Sequence, residues 1–178
     1  MEKILLIVFL VLFCGRMGVR YLLQRLNIHH LKMYGKNIPP VFADSIDAAT
    51  LSKMVDYTLD QSRLESKENL AGDIFELAVL FLLLPVLTAW ITGLTIHLIP
   101  QALIFFAVLS ALGGAAGLPF NLYHTFVLER RYGFSTITWK LWLADFFKSL
   151  VISAVLMAVI VSALMAFITY LPQSWWFW

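Results

Sequence analysis

An all-α, polytopic integral membrane protein is the fold class this sequence predicts. Three observations predict it: the chain is too apolar for a soluble domain, its apolar residues gather in four stretches, and its basic residues are distributed unevenly between them. Of the 178 residues, 61% are hydrophobic and 13% are charged, against about 25% charged in an ordinary soluble domain. Cys14 is the single cysteine, so no internal disulfide is available and redox compartment cannot be read from it.

The first apolar stretch, ILLIVFLVLFC at residues 4–14, falls short of the roughly 20 residues that cross a bilayer. It spans only by continuing through Gly15 and Met17 to Leu22 and Leu23, a span of residues 4–25, with Arg16 and Arg20 snorkelling to an interface. A signal peptide would use Lys3 as its n-region, but no A-x-A site follows and Phe13 is too large to precede a lipoprotein Cys14. A retained helix is therefore expected. The second span, residues 74–92, contains Pro85, whose missing donor should kink it. The third, residues 102–122, carries Gly113, Gly114 and Gly117 beside Ala111, Ala115 and Ala116; small residues at this spacing predict a face buried against protein rather than lipid. The fourth, residues 148–171, is almost purely aliphatic. Trp175, Trp176, Phe177 and Trp178 suit an interfacial belt or the start of a further apolar segment.

Topology follows from the 13 Lys and Arg residues. Lys3 precedes the first span. Arg16, Arg20, Arg25, Lys32, Lys36, Lys53, Arg63 and Lys67 follow the first apolar stretch, residues 4–14, and precede the second span, and Arg130, Arg131, Lys140 and Lys148 lie between the third span and the aliphatic run of the fourth that starts at Leu150. The connection at residues 92–101 has none. The positive-inside rule makes the two basic loops cytoplasmic and puts the N-terminus outside. Whether the membrane is a bacterial inner membrane or an ER-type membrane is left open.

Between the first and second spans, Pro39 and Pro40 break any helix. Residues 44–70 then read as an amphipathic cytoplasmic helix, capped by Asp44 or Ser45, with Leu51, Met54, Val55, Thr58 and Leu59 at helical spacing. Its apolar face should lie on the membrane or on the protein's own cytoplasmic surface. Asp73 and Glu76 open the second span, a favourable position for carboxylates if a helix N-terminus is there; a chamber-lining role for Glu76 is the sharper alternative. A cytoplasmic loop is expected at about residues 128–146. No repeat or low-complexity tract divides the chain, which reads as one membrane domain over residues 1–178.

Few kinds of chemistry survive inspection. H-E-x-x-H, the zinc protease motif, is absent. His29, His30, His97 and His124 include no i, i+4 pair; His29 and His30 point about 100° apart on a helix, and His97 reads as interfacial. His124 and Glu129 are five residues apart, and His124 and Glu76 could meet only through tertiary contact. Ser and Cys lack a neighbouring His base, no glycine-rich phosphate loop follows a strand, and no E-E-x-x-x-R motif occurs. Topology explains the basic residues, so nucleic-acid binding has no support.

The densest polar cluster is LPFNLYHTFVLERRYGF, residues 118–134. Taken alone it is a helix exit: the helix passes Pro119, resumes through Tyr123, Phe126 and Val127, meets the cytoplasmic boundary at Glu129, Arg130 and Arg131, and ends on Gly133 as a C′ residue. Asn121 and His124 are left without an explanation by that reading.

The longer block LPFNLYHTFVLERRYGFSTITWKLWLADFFKSL, residues 118–150, resembles the signature of the N-terminal membrane region of the CAAX prenyl protease 1 family of zinc metalloendopeptidases. The matching positions are Leu118, Pro119, Phe120, Thr125, Phe126, Val127, Leu128, Glu129, Gly133, Phe134, Thr138, Asp145, Lys148, Ser149 and Leu150. Pro40 and a K-x-x-x-Y pattern at Lys53 and Tyr57 extend the likeness upstream with less specificity. The resemblance implies an all-helical membrane protease whose helices surround a chamber, with zinc near its cytoplasmic side, cleaving the C-terminal tripeptide from prenylated CAAX proteins in eukaryotes.

No H-E-x-x-H occurs before Trp178, so no catalytic or metal residue carries over. The chain by itself is expected to be inactive and without a cofactor, zinc belonging to the full-length family member. Glu76, Asn121, His124, Glu129, Arg130 and Arg131 are the candidate chamber or cytoplasmic-mouth residues. Expected partners are the lipid bilayer, a catalytic domain in cis or trans, and the peptide or protein substrate of the full enzyme. The alternative is a non-catalytic four-helix membrane scaffold or partner-binding protein.

Overall fold

A computed structural model describes residues 2–38 and 47–170. They form six α-helices interrupted by two π-turns: α1 (Glu2–Tyr34), α2 (Ala48–Ala78), a π-turn (Val79–Leu83), α3 (Leu84–Thr92), α4 (Leu98–Tyr123), a second π-turn (His124–Leu128), α5 (Glu129–Tyr132) and α6 (Trp139–Tyr170). Among the described residues, four continuous helical columns are long and apolar enough to cross a membrane: Lys3–Tyr34, Ala48–Thr92, Leu98–Tyr132 and Trp139–Tyr170. The integral membrane class stands. Pro39, Pro40, Asp44, Ser45 and the aromatic tail from Trp175 to Trp178 lie outside the described residues.

The region expected to hold a separate amphipathic helix is built differently. Residues 48–78 form one helix that runs on through the first π-turn into α3, a 45-residue column. At 1.5 Å per residue it is about 67 Å long, twice the ~30 Å hydrocarbon core. The apolar run begins near Ile74, so the polar stretch before it, including Asp60, stands outside the core. The described cap is Asp47, whose Oδ2 accepts from the Thr50 N–H at 3.3 Å. Thr50, through its side chain and then its backbone N–H, holds the Asp47 carboxyl below the ordinary value. Because the helix starts here, Asp73 and Glu76 are far from any N-terminus, and the helix-dipole reading of them fails.

The chain divides into two compact units, Met1–Asp73 with Phe120–Ser135, and Ile74–Pro119 with Thr136–Trp178. In the first, α1 and α2 pack antiparallel. Gln24 Nε2 donates to Ser62 O at 2.9 Å, Lys36 pairs with Asp56 at 3.4 Å, and Arg20 pairs with Asp73, so positions rise along α1 as they fall along α2. The seam follows a 3–4 spacing on both helices. Tyr21, Gln24, Ile28, Leu31 and Gly35 are half-buried on one side; on the other, Val55 and Asp73 are buried, with Leu59, Ser62, Ser66 and Asn69 half-buried between them. That periodicity of 3.5 is what lets two helices stay in register over several turns. Met54 and Thr58, expected on the apolar face, are exposed instead. Gly35 permits the closest approach, since an added Cβ would lie 3.2 Å from Val55 Cγ2 and 2.7 Å from Leu31 Cδ1.

Asp73 is 3% exposed. Arg20 donates to its Oδ2, Arg16 Nη2 donates to Oδ1 at 3.4 Å, and Tyr21 OH donates at 3.4 Å. Arg16 and Arg20 thus serve as partners for an acid on α2, a role beyond the snorkelling expected of them. A buried carboxylate is tolerable only when paired and hydrogen-bonded.

In the second unit the π-turn precedes Pro85, which sits in the first turn of α3. A proline lacks the N–H that would close an interior α-turn, and local π geometry is one way a helix accommodates the gap. Gln101 Nε2 donates to Leu94 O at 2.9 Å and Ile96 O at 3.2 Å, closing the turn between α3 and α4 over an exposed His97. Gly113 and Gly114 are exposed, and a Cβ added at either, or at Gly117, meets nothing within 4 Å. The small-residue face expected to be buried is therefore uncovered among the described residues, because no helix approaches it. Thr138 caps α6, its Oγ1 accepting from the Leu141 N–H at 3.3 Å.

Candidate functional site

The polar block at residues 118–134 owes its geometry to a change of helical hydrogen bonding. Helix α4 passes through Pro119 and ends at Tyr123, after which the Glu129 N–H donates to His124 O, an i→i+5 bond. On a regular α-helix, side chains five apart point about 140° from each other. The π-turn brings them back over one another, and His124 Nδ1 lies 3.5 Å from Glu129 Oε1, with the side chains 33% and 29% exposed. The pair is ionic when the imidazole is protonated. The spacing that argued against joint action thus fails to predict contact, since it assumed α geometry.

The segment that follows is fastened at several points. The Phe134 N–H donates to Glu129 O at 2.9 Å and the Gly133 N–H to Arg130 O at 3.1 Å, closing α5 in a Schellman motif. Gly133 has φ +74°, the left-handed conformation that glycine adopts without a Cβ penalty, as its C′ position predicted. Arg131 Nη1 donates to Asp60 Oδ2 at 3.2 Å and Tyr132 OH donates to the same oxygen at 2.8 Å. Arg63 Nη1 donates to Asp60 Oδ1 at 3.0 Å. Tyr57 meets Tyr132 and Phe134 edge-on, with centroids 5.3 and 4.8 Å away, and Lys53 Nζ lies 5.5 Å from the Phe134 centroid.

Electrostatics follow from these contacts. The Tyr132 hydroxyl, then Arg63 and Arg131, hold the Asp60 carboxyl below its ordinary value, against a smaller opposing effect of burial. Burial, and then the bond to Asp60, push the Tyr132 phenol up. Both groups are outside the apolar runs, Asp60 by the length of its column and Tyr132 at the end of its own.

Of the predicted site residues, His124 and Glu129 are brought together and Arg131 is tied to α2. The Arg130 guanidinium lies 5.2 Å from the Phe126 centroid, while Asn121 and Glu76 are exposed. Leu128, a position in the resemblance, is the most buried side chain among the described residues, at 2% exposure. Asp60 was missed. Its partners are 71 and 72 residues away, and the only local signal was an i, i+3 Arg63. Lys53 and Tyr57, by contrast, were marked by the upstream pattern, and both contact Phe134 of the downstream one.

Among the described residues, no group of three or more His, Cys, Asp or Glu side chains could hold a metal ion. His124 and Glu129 supply two donors where a catalytic zinc takes three protein ligands. The described residues do not fit a zinc site.

The sequence model of a family described as "CAAX prenyl protease N-terminal, five membrane helices" matches residues 27–178. CAAX prenyl protease 1 of Saccharomyces cerevisiae is 31% identical over 137 residues, covering 68% of this chain and 29% of that protein. The human CAAX prenyl protease 1 homolog is 27% identical over 151 residues, covering 79% of this chain and 31% of its own length. The chain therefore spans less than a third of these relatives. The crystal structure of S. mikatae Ste24p superposes with a TM-score of 0.80 at 22% identity, over 93% of this chain and 40% of that one, a likeness of fold. With the family match reaching over residues 27–178, most of its length, the chain belongs to the CAAX prenyl protease N-terminal family of membrane proteins.

Proposed function

We propose that this chain is the N-terminal membrane region of a CAAX prenyl protease 1-like zinc metalloendopeptidase, supplying chamber wall and substrate path. The zinc and the hydrolytic residues come from a region outside these 178 residues, in cis or in trans. The observation that carries this reading is the coverage: the family match runs through residues 27–178, while the chain accounts for only 29% and 31% of relatives named as proteases.

In this reading the N-terminus is outside and the two basic loops are cytoplasmic. Glu76, Asn121, His124, Glu129, Arg130 and Arg131 shape the chamber or its cytoplasmic mouth, and the substrate is a prenylated protein bearing a C-terminal CAAX sequence. In the full-length polypeptide, Glu129→Gln should lower cleavage or yield, and unchanged values for both would remove the role.

The reading frame and the metal test the assignment. In-frame continuation beyond the Trp178 codon into a segment with H-E-x-x-H, or a separately encoded H-E-x-x-H partner that copurifies, is expected. So is one zinc per assembled protein and none per 178-residue chain. A stop codon with no such partner, or one tightly bound zinc in the 178-residue chain, would overturn it.

A further inference from the structure

We propose that Asp60 fixes the helical register of residues 124–132 and is thereby the positioning residue for the His124–Glu129 pair. A π-turn is rare and needs support from its surroundings. The five residues of this one, His124-Thr125-Phe126-Val127-Leu128, include no proline or glycine that would impose it. Support must come from what the turn delivers on its far side.

The alternative register is easily described. If the extra residue were absorbed into a regular α-helix, everything after it would rotate by about 100° relative to α4. Arg131 and Tyr132 would turn away from Asp60, Phe134 from Tyr57 and Lys53, and Glu129 would stand about 140° from His124. The buried Leu128 would exchange places with a neighbour such as Val127, which is 39% exposed. The Asp60 contacts and the His124–Glu129 pair therefore exist in the same register and are lost in the same rotation. Asp60 makes no contact with His124 or Glu129 that this coupling needs. It accepts from Arg131 Nη1 and Tyr132 OH, and charge-assisted bonds of that kind are the strong ones.

The register can be read on the 178-residue chain in lipid nanodiscs. In a Cys14→Ser background, His124→Cys with Glu129→Cys creates a thiol pair that a short bifunctional thiol reagent, reaching about one helical turn (~5–6 Å), can bridge only in the π register. Intramolecular bridging is followed by mass spectrometry. Adding Asp60→Asn should slow bridging at least about threefold, because two charge-assisted bonds holding the register are weakened.

Deleting Val127 supplies the control that a merely structural role would not survive. With one residue removed, positions 124 and 129 are a regular i, i+4 pair and the downstream register is kept without a π-turn. The deletion alone should bridge as fast as its parent, and it should restore bridging in the Asp60→Asn chain. Bridging unaffected by Asp60→Asn would overturn the proposal. So would equal slowing with and without the deletion, the result if Asp60→Asn simply unfolds the chain, and so would a deletion that itself abolishes bridging.

Discussion

The two units of this chain hold themselves together by different means. In Met1–Asp73 with Phe120–Ser135, side chains reach between elements: Arg16, Arg20 and Tyr21 to Asp73, Gln24 to Ser62, Arg131 and Tyr132 to Asp60. In Ile74–Pro119 with Thr136–Trp178, hydroxyls turn back on their own helices, as Thr92 does to Thr88 O at 2.9 Å and Thr169 to Met165 O at 2.7 Å. Between α4 and α6, Ser110 Oγ donates weakly to Met157 Sδ at 3.9 Å. Lipid provides no hydrophobic drive between helices, so apolar helices associate through packing and small residues. Helices that carry polar residues along their seam can specify register with charge and aromatic edges, and the first unit does.

The largest expected break in this contrast is Asp73→Ala. It removes the acceptor of Arg16, Arg20 and Tyr21 at once. Because the Arg16 and Arg20 side chains are 50% and 33% exposed and stay solvated, the loss should be about 3 kcal/mol, the upper end for charged hydrogen bonds, measured by chemical unfolding in a fixed detergent or lipid system. Next is Asp60→Ala, at about 1.5–3 kcal/mol for charged hydrogen bonds in a partly buried place. Its pH dependence has a definite sign. The Asp60 carboxyl is lowered in the folded chain, so its contribution is present above the unfolded value of about 3.9 and disappears as pH falls through the lower folded value. Wild type and Asp60→Asn should converge in stability across that acid window. Tyr132 is raised, so its contribution holds below about pH 10 and is lost as pH rises through the folded value; Tyr132→Phe should flatten that alkaline limb.

Smaller effects sharpen the comparison. Gly133→Ala should cost roughly 1–2 kcal/mol from its left-handed backbone alone, since the nearest neighbour of the new Cβ is Lys53 Nζ at 3.8 Å. Gly113→Leu in the second unit should change the stability of this chain by less than about 0.5 kcal/mol, because nothing lies within 4 Å. A large loss there would mean the face is covered after all.

How much of this was legible in the sequence depended on the range of the cause. The four columns were visible because apolar composition over about 20 residues is a sufficient signal. Gly133 was visible because a C′ glycine after a basic turn is a local pattern. The continuity of residues 48–92 was not, because a polar helix and the apolar one after it look like two elements to a hydropathy reading. The His124–Glu129 contact was hidden for a different reason: i→i+5 bonding has no residue signature in HTFVL. Asp60 and the pairing of Arg20 with Asp73 depend on partners 53 to 72 residues away, and no single-sequence periodicity reaches that far. The resemblance supplied the importance of the 118–150 block, and the fold supplied its reason: Leu128 is buried, Gly133 turns the chain, Phe134 meets Tyr57, and Thr138 caps α6.

The most direct test of the central claim joins this chain to its H-E-x-x-H region, in one polypeptide or by coexpression, and measures release of the C-terminal tripeptide from a prenylated CAAX peptide. Zinc-dependent cleavage by the assembled protein, with none from either part alone, is predicted. Cleavage by the 178-residue chain alone, or equal cleavage by the H-E-x-x-H region without it, would contradict the account.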